Sequence, residues 1–109
     1  MVEIREYTNP QGRSHFKEWF EALDPAAAAK VVIALTRMAH GNLSNVKGAG
    51  AGVFEYRIDA GPGLRIYFGK DGNALVILLT GGTKRRQQNN IDTARQSWAD
   101  YKYRKTLES

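Results

Sequence analysis

Three strand-like segments follow one another at hairpin spacing: VFEYRID (Val53–Asp59), LRIYFG (Leu64–Gly69) and ALVILLT (Ala74–Thr80). The separators, AGPG (Ala60–Gly63) and KDGN (Lys70–Asn73), are short and made of turn formers. Connections of that length join antiparallel neighbours, so these residues predict a β-meander. A meander needs an apolar layer against it, and the rest of the chain has to supply that layer.

The first half does so. VEIREY (Val2–Tyr7) alternates at period two and reads as a strand, and NPQG (Asn9–Gly12) as a turn. Phe16, Trp19, Phe20 and Leu23 recur at i, i+3, i+4 and i+7, one face of a helix that Ser14 is placed to cap. Asp24-Pro25 ends it and starts a second helix, with Asp24 as cap and Pro25 at the first helical position. Val31, Val32, Leu35 and Met38 give that helix its stripe, and Gly41 stops it. KGAGAG, from Lys47, reads as a flexible glycine-rich entry to the meander. Ile91, Ala94, Trp98 and Tyr101 predict a last helix with Asn89 or Asn90 as cap. The order is β-α-α-β-β-β-α, an α+β fold in one domain over residues 1–109. A helical hairpin packs on one face of a small, mainly antiparallel sheet, and the opposite face is left to solvent or a ligand.

Within VFEYRID and LRIYF the alternation places Phe54, Tyr56, Ile58, Leu64, Ile66 and Phe68 under the helices. Glu55, Arg57, Arg65 and Tyr67 then share the open face. Two arginines on adjacent strands can hold a phosphate from two directions. The structural alternative is a solvated face with Arg57 paired to Glu55 or Asp59. Charge points the same way as the clamp. Residues 1–56 balance six Lys/Arg against six Asp/Glu, whereas 57–109 carry ten against five, so the net +5 lies wholly in the second half. Such asymmetry suits a polyanionic partner, or simply solubility. Lys84, Arg85 and Arg86 sit directly beyond the most apolar strand, and Lys47 precedes the meander.

Other chemistries are poorly provided for. The chain has no cysteine, and its two histidines, His15 and His40, lie at no ligand spacing, so no metal is expected. No dinucleotide, P-loop or nucleophile-elbow pattern occurs, so no cofactor is expected either. The N-terminus has no signal-like apolar core and no run reaches membrane-spanning length, which makes a soluble, cytoplasmic protein the expectation.

FKEWFEAL, GVFEYRIDAGPGLRIYF and VILLTGGTKRRQQNNIDTARQSWADY together resemble the RelE/ParE superfamily of bacterial toxin–antitoxin toxins, over essentially the whole chain. Within it the chain is most similar to the addiction-module killer proteins related to HigB. The resemblance implies a ribosome-dependent mRNA endonuclease, an mRNA interferase. In that reaction the 2′-hydroxyl attacks in line and leaves a 2′,3′-cyclic phosphate and a 5′-hydroxyl. By resemblance the family's conserved arginine falls on Arg65, and two further basic positions fall on Arg57 and Lys84. Lys47, Arg85 and Arg86 are expected to contact RNA or the ribosome. Two positions depart from the pattern: Glu55 stands where a basic residue is usual, and the family's C-terminal tyrosine aligns near Asn90. Tyr67 is then the candidate general acid or base, with Tyr101 and Tyr103 as substitutes. The implied partners are a cognate antitoxin of helix-turn-helix type from an adjacent gene, the ribosome and mRNA, and operator DNA through the antitoxin. The antitoxin is expected to cover the basic face or displace the last helix. A ParE-like inhibitor of DNA gyrase, or a degenerate member that only binds antitoxin and operator, stays open.

Overall fold

A computed structural model describes residues 1–59 and 63–108. The predicted AGPG turn lies largely outside the described residues. Five strands form one sheet: β1 (Glu3–Glu6), β2 (Val46–Gly50), β3 (Val53–Ile58), β4 (Leu64–Lys70) and β5 (Leu75–Thr83), in the order β1-β5-β4-β3-β2. The β2–β5 pairings are antiparallel and β1 joins β5 in parallel. Helices α1 (His15–Glu21) and α2 (Pro25–Ala39) precede β2, and α3 (Gln87–Glu108) closes the chain.

The helix starts follow the sequence closely. The Ser14 side chain accepts from the Lys17 N–H, and Asp24 accepts from Ala27 with Pro25 in the first turn. Each cap satisfies a donor that the helix itself leaves unpaired. Phe16, Val31, Ala34 and Met38 bury against Tyr56, Leu64, Ile66, Phe68, Val76 and Leu78 of the sheet. Phe54 and Ile58 are partly buried at the margin of this cluster, so the predicted apolar face is the one the helices cover.

Four features differ from the sequence reading. KGAGAG is a short edge strand, β2, whose pairing with β3 shifts register between Gly48 and Gly50. Irregularity at an edge discourages pairing with other chains. Secondly, β5 continues past Thr80 through both glycines. Tyr67 pairs with Thr80 but Phe68 with Leu78, so Leu79 is an extra residue that reverses the alternation beyond it. Leu75, Ile77 and Leu79 therefore face α3, yet beyond the bulge it is Gly82 that does so while Gly81 faces α1. A Cβ at Gly81 would stand 2.1 Å from the Trp19 ring, and one at Gly82 1.8 Å from Nδ2 of Asn90. Glycine is needed at both because a helix lies on each side.

Thirdly, α3 begins at Gln87, after a 3-10 turn over Lys84–Arg86. Asn89 and Asn90 are inside the helix and cap nothing. Fourthly, the second sheet face is not open. Ala94 and Trp98 of α3 pack on Val53, Tyr67, Ile77 and Leu79, with Tyr7 from the β1 end. The apolar stripe of α3 has to be buried somewhere, and the only sheet face not taken by α1 and α2 is this one. Beyond Trp98, Tyr101 and Lys105 bond Asp71, and Arg104 reaches the carbonyl of Thr8.

Candidate functional site

Covering the second face places its charged residues under a roof. In cross-strand register Lys47 is opposite Glu55, Glu55 opposite Tyr67, and Arg57 opposite Arg65, so all five share one side of the sheet. Glu55 is 1% exposed, Tyr67 0% and Arg65 6%, whereas the Arg57 side chain, near the end of β3, keeps 41%. Arg65 and Tyr67 were expected to face solvent, and they do not. The roof over them is the α3 contact.

Glu55 gathers this group. Its Oε1 accepts from Arg57 Nε at 3.1 Å and lies 3.7 Å from Arg65 Nε. Its Oε2 accepts from the Tyr67 hydroxyl at 3.0 Å and from Gln87 Nε2, at the start of α3, at 2.8 Å. Burial pushes the carboxyl up, but hydrogen bonds from Gln87, Arg57 and Tyr67 and the charge of Arg65 together outweigh it. The Glu55 carboxyl therefore titrates below its ordinary value. Tyr67 moves strongly upward, first through burial and then through the Glu55 charge and hydrogen bond. The arginine pair thus closes on a carboxylate of the chain itself.

Arg65 also ties this cluster to Lys84. The carbonyl of Gly63 accepts from Arg65 Nη1 at 3.2 Å and from the Lys84 backbone N–H at 3.0 Å. Lys84 then opens onto a cleft of about 470 Å³ lined by Lys47, Gly48, Ala49, Glu55, Lys84, Arg85, Gln87, Gln88 and Ile91. Among the described residues none of Lys47, Lys84 and Arg85 forms an ion pair. Arg86 is exposed and outside this lining. Three free cations over a neutralised carboxylate can hold an extended anion.

The structure therefore brings Lys47, Lys84 and Arg85 together at the rim and Arg57, Arg65 and Tyr67 beneath it around Glu55. Tyr101 bonds Asp71 and Tyr103 is exposed, and neither lines the cleft. Sequence reasoning missed Gln87, Gln88 and the central place of Glu55. A signal was available: a face that carries one glutamate among two arginines already holds its counter-ion. Gln87 had none, since its position depends on where α3 begins. Among the described residues no group of three or more His, Cys, Asp and Glu could hold a metal, and no helix is long and apolar enough to cross a membrane. His40 caps α2, with Nδ1 2.8 Å from the carbonyl of Thr36.

A five-stranded sheet with two helices on one face and a long helix on the other, bearing a cation-lined cleft, defines a small α+β protein. Residues 18–99 match the family described as Phage derived protein Gp49-like (DUF891), and the chain belongs to that toxin–antitoxin-associated family. It is also similar to an uncharacterized protein of Haemophilus influenzae, 38% identical over 81 residues, covering 73% of this chain and 82% of that protein. Membership implies a cognate antitoxin as partner.

Proposed function

We propose that the chain is the toxin of a type II toxin–antitoxin pair and acts as a ribosome-dependent mRNA endonuclease. The observation that supports this most is the cleft in which Lys47, Lys84 and Arg85 stand unpaired beside the Glu55 network. In this reading the RNA backbone lies along the cleft. The 2′-oxygen bonds to phosphorus, the bond to the 5′-oxygen breaks, and the proton lost from the 2′-hydroxyl is balanced by one gained at the leaving oxygen. Charge that builds on the non-bridging oxygens is met by Lys84 and Arg85 at the rim.

Arg57 and Arg65 contribute at one remove. Bound to Glu55, they fix the floor, and through the Gly63 carbonyl Arg65 fixes the start of the Lys84 turn. Tyr67, buried and donating to Glu55, is a positioning residue in this arrangement. Much of the rate then comes from the ribosome holding the codon in an in-line geometry. The test is a short pulse of expression in cells without the antitoxin, followed by mapping of transcript ends. New 5′-hydroxyl ends within translated codons, absent when translation is blocked, are the expected result.

The pairing of both arginines with Glu55 favours a second reading, in which the chain inhibits DNA gyrase and needs no reacting groups of its own. Growth arrest with intact transcripts and altered plasmid supercoiling would select it.

A further inference from the structure

The far side of the sheet carries a surface that the cleft does not use. Along α2, Val31, Ala34 and Met38 turn inward, while Val32 and Ile33 remain 51% and 52% exposed. Among the described residues of α1–α3, only Tyr103 and Leu107 near the end of α3 are large apolar side chains left as open. Beside Val32 and Ile33 a groove of about 310 Å³ runs between α2 and the end of β3, where Asn45 is the last residue before β2. Lys30, Ile33 and Arg37 line its helix side at i, i+3 and i+7, and Arg57 and Asp59 line its strand side. Lys30 and Arg37 therefore outnumber Asp59, the one carboxylate of the lining, beside an apolar ridge, and neither Lys30 nor Arg37 forms an ion pair among the described residues.

We propose that this groove is where the antitoxin docks, through an acidic amphipathic segment. An apolar side chain of that segment covers Val32 and Ile33, and a carboxylate enters between Lys30 and Arg37. Charge selects this occupant. A second copy of the chain would set Lys30 and Arg37 against their own counterparts, and like charges across an interface are strongly disfavoured. A nucleic-acid backbone would satisfy the cations but leave the aliphatic ridge wet. An acidic amphipathic segment satisfies both, in the manner of helix-in-groove recognition.

The placement carries a consequence for control. The α2 groove lies on the sheet face opposite α3, so an antitoxin seated there leaves the cation cleft uncovered. Neutralisation then works without blocking the cleft.

This inference rests on the antitoxin that the family implies and not on the RNA-cleaving reading. The chain has no cysteine, so single-cysteine variants report one site each. Ile33→Cys and Lys84→Cys are to be labelled with a fluorescent maleimide, free and in the complex purified by co-expression with the antitoxin encoded beside this chain. Docking in the groove slows labelling of Ile33→Cys by at least about tenfold, because a buried interface core excludes solvent and reagent, and leaves Lys84→Cys at its free rate. Lys30→Glu with Arg37→Glu weakens the complex by about tenfold or more for each reversed charge. Unslowed Ile33→Cys, protection of Lys84→Cys alone, or no complex would each overturn the proposal. Protection of Ile33→Cys in the free chain by concentration, or by a single-stranded RNA, would assign the groove to a second copy or to RNA and overturn it too.

Discussion

The Tyr67 hydroxyl donates to Oε2 of Glu55 at 3.0 Å, and neither side chain reaches solvent. The pair joins β4 to β3 beneath α3, so its energetics are those of a buried anion and not of a surface contact. Tyr67→Phe removes one of three hydrogen-bond donors and costs about 1–2 kcal/mol. Glu55→Gln costs more, about 3–5 kcal/mol, because it strands the Arg65 charge and turns an amide N–H toward other donors. Urea unfolding gives both values, and equal costs would contradict the central place of Glu55.

Arg65→Ala should unfold at lower urea than the parent by about 1–3 kcal/mol. A solvent-facing arginine, as the strand alternation alone implies, would cost close to nothing. Loss of growth inhibition in this variant therefore has to be read beside its stability. An unchanged midpoint would mean that Arg65 does not hold the site together.

Acid should weaken the fold through Glu55. Its carboxyl titrates below its ordinary value when folded, so the stability it contributes is fully present above the unfolded value of about 4.3. That contribution is lost as pH falls through the lower folded value. Asp71, lowered by hydrogen bonds from Lys105 and Tyr101, adds to the same trend. The urea midpoint should drop below about pH 4, and less steeply in Glu55→Gln. A midpoint independent of pH in that range would contradict the linkage.

Gly81→Ala and Gly82→Ala should differ although the residues are neighbours. At Gly81 the new methyl meets the Trp19 ring, which is packed against Phe16 with ring centroids 5.7 Å apart. At Gly82 it meets the end of the Asn90 side chain, which can move. Gly81→Ala is expected to cost about 1–3 kcal/mol as overpacking. Gly82→Ala should cost less and be partly restored by Asn90→Ala. Equal costs with no restoration would show that the bulge at Leu79 does not set these two faces.

The contrast between those glycines marks where the sequence stops being legible. Alternation in β3 and β4 identifies the apolar face correctly, because side-chain direction in a regular strand follows from parity. Ser14, Asp24 and Pro25 carry their caps locally and were equally readable. The β5 bulge is not local: Leu79 is the residue left without a partner on β4, and only then do Gly81 and Gly82 acquire their separate neighbours. The start of α3 depends on the same strand, and with it the position of Gln87. Burial of Arg65 and Tyr67 is a tertiary fact too, since nothing in LRIYF states that a helix lies over it. The four residues expected on one face are on one face; what covers them was out of reach.

Contact of the rim cations with RNA is tested most directly by the double variant Lys47→Ala, Lys84→Ala. Both residues are exposed and lack ion pairs among the described residues, so the stability should stay within about 0.5 kcal/mol of the parent. Pulse expression of this variant should produce none of the new 5′-hydroxyl transcript ends that the parent produces. Undiminished ends from a variant of normal stability would contradict the assignment of this cleft to RNA.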